Sequence, residues 1–109
     1  MTSVIDGHKA NLKKLGWNDL EDCLKNPANL YIGRSVVYVK GANSSKWRNP
    51  FSVKKFGREK CLELYEEHVR KNLYSELEEL KGKTLVCWCT NLPCHGHVLM
   101  KLLKEKTLE

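Results

Sequence analysis

Short apolar runs alternate along the chain with longer stretches whose apolar residues recur every three to four positions, and these two periods predict its elements. From Arg58 onward, Cys61, Leu62, Leu64, Tyr65, His68 and Val69 fall on i, i+3, i+4, i+7 spacing. Glu63, Glu66, Glu67 and Arg70 lie opposite, so the segment reads as an amphipathic helix. Leu73, Leu77 and Leu80 carry helical spacing into a second segment that Gly82 ends. Thr84-Leu85-Val86-Cys87-Trp88 is a short apolar run bounded by turn residues, the mark of a buried strand. Beyond Pro93, Val98, Leu99, Leu102 and Leu103 predict a last helix. Upstream, Leu30–Gly33 and Val36–Val39 read as two strands, followed by a loop from Gly41 through Phe51. Asn18 with Glu21 three residues later has capping-box spacing and predicts a short helix that stops before Pro27. Residues 1–16 are expected to be a loose N-terminal arm, leaving 17–109 as one domain.

The resulting order is helix, strands, helices, strand, helix. Strands separated by crossovers this long are usually parallel and share one sheet with helices packed against it. The expected fold class is therefore α/β, a small single-domain three-layer Rossmann-like sheet with helices on its faces.

Composition narrows the setting. The 109 residues are 41% hydrophobic and 29% charged, which suits one globular domain. No run approaches the ~20 apolar residues of a membrane span. Met1–Asp6 lacks the layout of a secretory signal. A cytoplasmic location, or a nuclear one in a eukaryote, is expected rather than secretion. In a reducing compartment the five cysteines serve as metal ligands, reactive thiols or core residues rather than disulfide partners. The net charge of +6 attracts polyanions, although Lys9, Lys13, Lys14, Lys101, Lys104 and Lys106 cluster toward the termini, where they simply solubilise.

Candidate chemistry concentrates between Cys87 and His97, where the buried strand hands over to the last helix. Open α/β sheets place their ligands beyond the carboxyl ends of the strands, and this segment has that address. Three readings stay open. Cys87, Cys89, Cys94 and either His95 or His97 supply the ligand types of a tetrahedral zinc site, which makes zinc the expected cofactor if there is one. Alternatively Cys94, at a helix N-terminus beside His95, is an activated thiolate, and the two residues are the candidate catalytic pair. In the third, Cys87 and Cys89 are core residues and Cys94-His95-Gly96 caps a helix. Cys23 and Cys61 sit among apolar helix positions and are assigned to packing.

Anion binding is a partly separate question. Arg34 follows Gly33 at a strand end, Arg58 follows Gly57 at a helix start, and Lys46 lies in the long loop with Trp47 and Asn49. Guanidinium groups near a free helix N-terminus suit phosphate, and Trp47 is a candidate to stack on a base. The candidate ligand residues are thus Arg34, Lys46, Trp47, Asn49, Arg58 and Gly96. Each also has a plain explanation as a core residue, a turn or an ion pair on its own helix.

Tyr31-Ile32-Gly33-Arg34, Lys46-Trp47-Arg48-Asn49-Pro50-Phe51, Gly57-Arg58-Glu59, Leu80-Lys81-Gly82-Lys83, Cys87-Trp88-Cys89 and Cys94-His95-Gly96-His97-Val98-Leu99 follow in that order. As an ordered set over about residues 30–103 they resemble the family called domain of unknown function 4326, which is found in phages, large viruses and microbes. The family's usual pattern has Gly where this chain has Arg48, and an acidic residue where it has His97. The resemblance implies that Arg34, Trp47, Asn49, Pro50, Arg58, Cys87, Cys89, Cys94, His95 and Gly96 belong to its signature. A signature of polar and aromatic residues from separate loops points to one ligand site. The family's setting points to nucleotide or nucleic-acid metabolism. The expected activity is binding, and in one version processing, of a phosphate-bearing small molecule or nucleic acid at the Cys/His-rich corner. The alternative is a non-catalytic, zinc-stabilised module that docks nucleic acid or protein.

Overall fold

The central strand explains most of the architecture. In the computed structural model, which describes residues 2–88 and 94–107, Thr84–Cys87 forms a strand with neighbours on both sides. The other two strands are Ser3–Asp6 (β1) and Asn29–Tyr31 (β2), which makes Thr84–Cys87 β3. The order is β1-β3-β2 and both pairings are parallel, with Val4 and Leu30 opposite Leu85, and Ile5 and Tyr31 opposite Val86. A parallel strand flanked on both edges is covered on both faces, which is why Leu85, Val86 and Cys87 form an unbroken apolar run.

Alternation along the strands divides the core in two. Val4, Leu30, Ile32, Leu85 and Cys87 join one cluster, and Ile5, Tyr31, Val86 and Trp88 join the other. The first cluster receives Tyr65 and Val69 from helix α4 (Arg58–Asn72) and Leu77 and Leu80 from a 3₁₀ helix (Tyr74–Leu80). It also receives Leu99 and Leu102 from α5 (His95–Thr107). The second receives Leu12 from α1 (Lys9–Lys14) and Leu20 and Cys23 from α2 (Leu20–Leu24). A one-turn helix, α3 (Val53–Phe56), precedes α4. The protein is thus a small α/β domain built on a three-stranded parallel sheet.

Three expectations need correction. Residues 1–16 are not a loose arm, because β1 and α1 lie there. β1 has only four residues, too few to show a period, and it is held by pairing with β3 rather than by local propensity. Val36–Val39 is a pair of turns instead of a strand: Val39 N–H bonds the Val36 carbonyl, and Ala42 N–H the Val39 carbonyl. Only Val36 and Val39 pack inward, a spacing of three that suits a turn, while Val37 and Tyr38 are 93% and 97% exposed. The α2 cap is shifted by one residue. Asp19 accepts the Asp22 N–H at 2.9 Å, and the Asp22 carboxylate accepts the Asn18 N–H at 2.9 Å.

Because all three strands run the same way, their carboxyl ends share one edge. A chain of side chains braces that edge. His8, just after β1, meets Trp88 edge-on at 5.1 Å, Trp88 donates to the Tyr31 hydroxyl at 2.7 Å, and Tyr31 donates to the Arg34 carbonyl. Gly7 lets the chain turn closely over β3. A Cβ there would sit 2.9 Å from Val86 Cγ1 and 3.2 Å from the Cys87 carbonyl oxygen.

Candidate functional site

Two groups of residues stand at the carboxyl edge, one turned inward and one outward. The inward group begins with Cys87 at the end of β3 and Cys94 at the start of α5. Their sulfurs are 3.4 Å apart and both side chains are about 1% exposed. The Cys87 thiol, as donor, is the largest influence holding the Cys94 thiol well below its ordinary pKa. Burial opposes it, and the backbone N–H groups of Gly96 and His97, with the nearby His95, add to the lowering.

Those N–H groups identify what Cys94 does for the helix. In a capping box, the side chain before the helix accepts an N–H three residues on, and that third residue reaches back to the first N–H. Here His97 Nδ1 accepts the Cys94 N–H at 3.2 Å, the His97 N–H donates to the Cys94 carbonyl at 3.0 Å, and the Gly96 and His97 N–H groups lie on the side of the Cys94 sulfur where they favour its charged form. Cys94 stands where the box usually has serine, and the downward shift of its thiol fits the positive end of the helix dipole. His97 takes the place of the usual glutamate, which gives a physical reason for the acidic residue expected at this position in the family pattern. At the helix N-terminus that was expected to receive an external anion, the Cys94 and His97 N–H groups already have partners within the protein.

His95 points elsewhere. Its Nε2–H donates to the Ile32 carbonyl oxygen at 2.7 Å, its ring meets Tyr65 edge-on at 5.2 Å, and Tyr65 donates to the Trp47 carbonyl at 2.7 Å. Burial lowers the His95 pKa first of all, the Ile32 contact and the Cys94 charge oppose this, and the Arg34 charge adds to the lowering. A neutral imidazole tying α5 to the end of β2 follows. Burial likewise raises the Tyr65 phenol. Cys94 and His95, expected as a catalytic pair, are neighbours in sequence whose side chains take different partners. Gly96 serves packing: a Cβ there would meet Val4 Cγ2 at 3.0 Å and Ile32 Cδ1 at 3.1 Å, so glycine lets the first turn of α5 lie against the sheet.

Among the described residues, no group of three His, Cys, Asp or Glu side chains is placed to hold a metal ion. Cys89, one of the four expected zinc ligands, lies outside the described residues, and His95 Nε2 is committed to a carbonyl.

The outward group is a cleft of about 400 Å³ lined by Arg34, Ser35, Ser44, Arg48, Asn49 and Pro50. Both arginines are exposed, and Arg34 is steadied by donating to the Phe51 carbonyl at 3.1 Å. Ser35 and Ser44 join hydroxyl to hydroxyl at 3.1 Å, closing the neck of the loop between them. Arg48 also lines an adjoining cleft of about 250 Å³ with Lys46, Pro50, His68, Asn72 and Leu73.

The remaining candidates separate from this cleft or support it from behind. Trp47, expected to stack on a base, is buried in the first cluster, and its indole N–H donates to Glu79 at 2.9 Å. No ring face of Trp47 is presented to a ligand, because the loop folds it under α4 and the 3₁₀ helix. Lys46 pairs with Glu76 at 2.6 Å and with Glu79 at 2.9 Å. Asn49 lines the cleft but spends its amide internally, donating to the Cys61 sulfur at 3.1 Å and accepting the Phe51 N–H at 2.9 Å. Arg58 lines a different cleft, of about 350 Å³, with Phe56, Gly57, Glu59, Lys60 and Glu63. Arg34 is therefore the one expected phosphate ligand that meets a second guanidinium there. Its companions Arg48, Ser35 and Ser44 were not expected; the signals for them were the polar loop on both sides of Val36–Ala42 and the arginine standing where the family pattern has glycine.

Comparison with known proteins adds a family but no activity. The family model described as Domain of unknown function (DUF4326) matches residues 18–105. The chain is similar to "Uncharacterized protein R718" of Acanthamoeba polyphaga mimivirus, with 38% identity over 87 residues. That alignment covers 69% of this chain and 66% of the relative, so the chain spans just under two-thirds of the relative's length. No solved structure matches the chain. The length of the family match, together with the viral relative, establishes that the chain belongs to the domain of unknown function 4326 family.

Proposed function

We propose that this domain binds a phosphate-bearing ligand, a nucleotide or a nucleic-acid strand, in the Arg34–Arg48 cleft at the carboxyl edge of its sheet. One observation carries the reading: two exposed guanidinium groups line one cleft with two serine hydroxyls at that edge. Guanidinium groups recognise phosphate oxygens through paired N–H donors, and serine hydroxyls add neutral ones. We read the surrounding arrangement as a minimal three-layer, Rossmann-like sandwich, in which this edge is the usual place for a ligand. The net charge of +6 favours the encounter with a polyanion.

Cys94 lies beneath the edge with its sulfur turned toward Cys87, so binding rather than turnover is the activity this geometry supports.

A thermal-shift series with mono- and dinucleotides, inorganic phosphate and a single-stranded oligonucleotide tests the proposal. A bound ligand at about a hundred times its Kd raises stability by about 2.7 kcal/mol. That rise is expected for at least one phosphate compound and is expected to vanish in the Arg34→Ala/Arg48→Ala double variant. No shift with any phosphate compound, or a shift the double variant keeps, overturns the reading. One zinc per chain together with no ligand shift would move the assignment to a metal-stabilised docking module.

A further inference from the structure

Phosphate binding makes no use of Cys87 and Cys94, which carry an observation of their own. Two sulfurs from different elements, the end of β3 and the start of α5, are held 3.4 Å apart in the core. Sulfurs at that separation are already in contact. A disulfide at about 2.05 Å requires them to approach by little more than an ångström, a change of the size side-chain rotation supplies. The other described cysteines are placed differently. Cys23 is buried, with its thiol pKa raised by that burial, and Cys61 donates to the Phe51 carbonyl at 3.3 Å while accepting from Asn49.

We propose that Cys87 and Cys94 form a reversible dithiol–disulfide site whose oxidant is a small, uncharged peroxide. The class of oxidant follows from burial, since sulfurs on side chains about 1% exposed favour a reagent close to water in size. The thiolate is the nucleophilic form of cysteine, and Cys94, at the N-terminus of α5, takes that role. The Cys94 sulfur attacks one peroxide oxygen, so an S–O bond forms as the O–O bond breaks. The departing oxygen leaves with the electron pair and takes up a proton as water. This oxidises the sulfur by two electrons to a sulfenic acid. The Cys87 sulfur then attacks the Cys94 sulfur, forming the S–S bond and breaking the S–O bond, and the thiol proton leaves with the hydroxide as a second water. In sum, two thiols lose two hydrogens and one hydrogen peroxide becomes two waters.

The test uses the full reduced chain, folded and at neutral pH, with a slight excess of hydrogen peroxide. Quenching with an alkylating agent is followed by intact mass and peptide mapping. The expected result is a loss of two hydrogens, a Cys87–Cys94 link in the map and full reversal by dithiothreitol. In Cys87→Ser the reaction is expected to stop at a sulfenic acid on Cys94 that dimedone traps. The map of the unaltered protein decides the matter even if that variant does not fold. A link through Cys89, Cys23 or Cys61, a link that forms only in denaturant, or one zinc per chain that keeps the pair reduced would each overturn the proposal.

Discussion

The sulfur corner and the arginine cleft stand at the same edge of the sheet and differ in where their polar atoms point. At the corner the described polar contacts are made within the protein: the Cys94 sulfur on Cys87, the Cys94 N–H on His97 Nδ1, the His97 N–H on the Cys94 carbonyl, and His95 on the Ile32 carbonyl. In the cleft the guanidinium groups of Arg34 and Arg48 are exposed, beside a serine pair that holds the loop neck. The difference teaches that residue types associated with chemistry mark two things here. One is a polar joint that fixes α5 to the strand ends, and the other is a surface that can receive a ligand. The two are coupled, since the Arg34 charge contributes to keeping His95 neutral.

The comparison is most easily broken at Trp47, which we place with the buried framework. Trp47→Ala is expected to cost about 3–5 kcal/mol in urea unfolding, through lost burial and the lost indole bond to Glu79. Unchanged stability with a loss of nucleotide affinity would return the ring to the ligand surface.

A smaller effect is expected at the α5 cap. Cys94→Ala should destabilise by about 0.5–2 kcal/mol, the usual range for a lost N-cap. The ultraviolet absorbance of a thiolate at neutral pH should disappear with it. Cys94→Ser should recover much of the stability, because a hydroxyl can accept the same N–H groups, but none of the absorbance. If the unaltered protein shows no thiolate absorbance near pH 7, the charged cap is wrong.

The pH dependence of unfolding sharpens the role of His95. Burial holds its folded pKa below the ordinary 6.5, so the unfolded chain takes up a proton that the folded chain refuses. The stability contributed by neutral His95 is therefore complete above that value and is lost as the pH falls below it. His95→Gln should flatten the decline between about pH 7 and pH 5. An equally steep decline in the variant would assign the dependence to other groups.

The smallest effect on stability is expected in the cleft itself. Arg34→Ala and Arg48→Ala should each change the unfolding free energy by no more than about 0.5 kcal/mol, as exposed positions usually do. Oligonucleotide affinity should nevertheless fall, and the slope of its logarithm against salt should become shallower by about one for each phosphate contact removed. A large stability loss in either variant would place that arginine in the framework with Trp47.

Legibility followed length and periodicity. α4 and α5 show apolar spacing over several turns, and β3 is a continuous apolar run, so all three are apparent in the residues. β1 escapes the pattern because four residues carry no period, and Val36–Val39 mimics a strand because β-branched residues also serve the half-buried corners of a turn. At the site, the Cys-x-x-His spacing from Cys94 to His97 fits metal ligands, an activated thiolate and a helix cap alike. The capping-box rule names serine or threonine followed by glutamate or glutamine, and here an imidazole makes the return contact to the first N–H, so the rule's residue types do not reveal it. Arg48 stood in plain sight as a departure from the family pattern, and only the folded loop places it beside Arg34.

The residues alone determined the α/β class, the helices and buried strand that dominate the core, and the concentration of Cys and His at the strand-to-helix junction after Val86. Local apolar patterns largely specify those features. Tertiary structure decided which members of the junction meet. It brought Cys87 to Cys94, turned His95 to Ile32, buried Trp47, separated Arg58 from Arg34 and paired Arg34 with Arg48. Contacts between residues distant in sequence depend on strand order and on loops crossing the sheet edge, and no local pattern encodes either one.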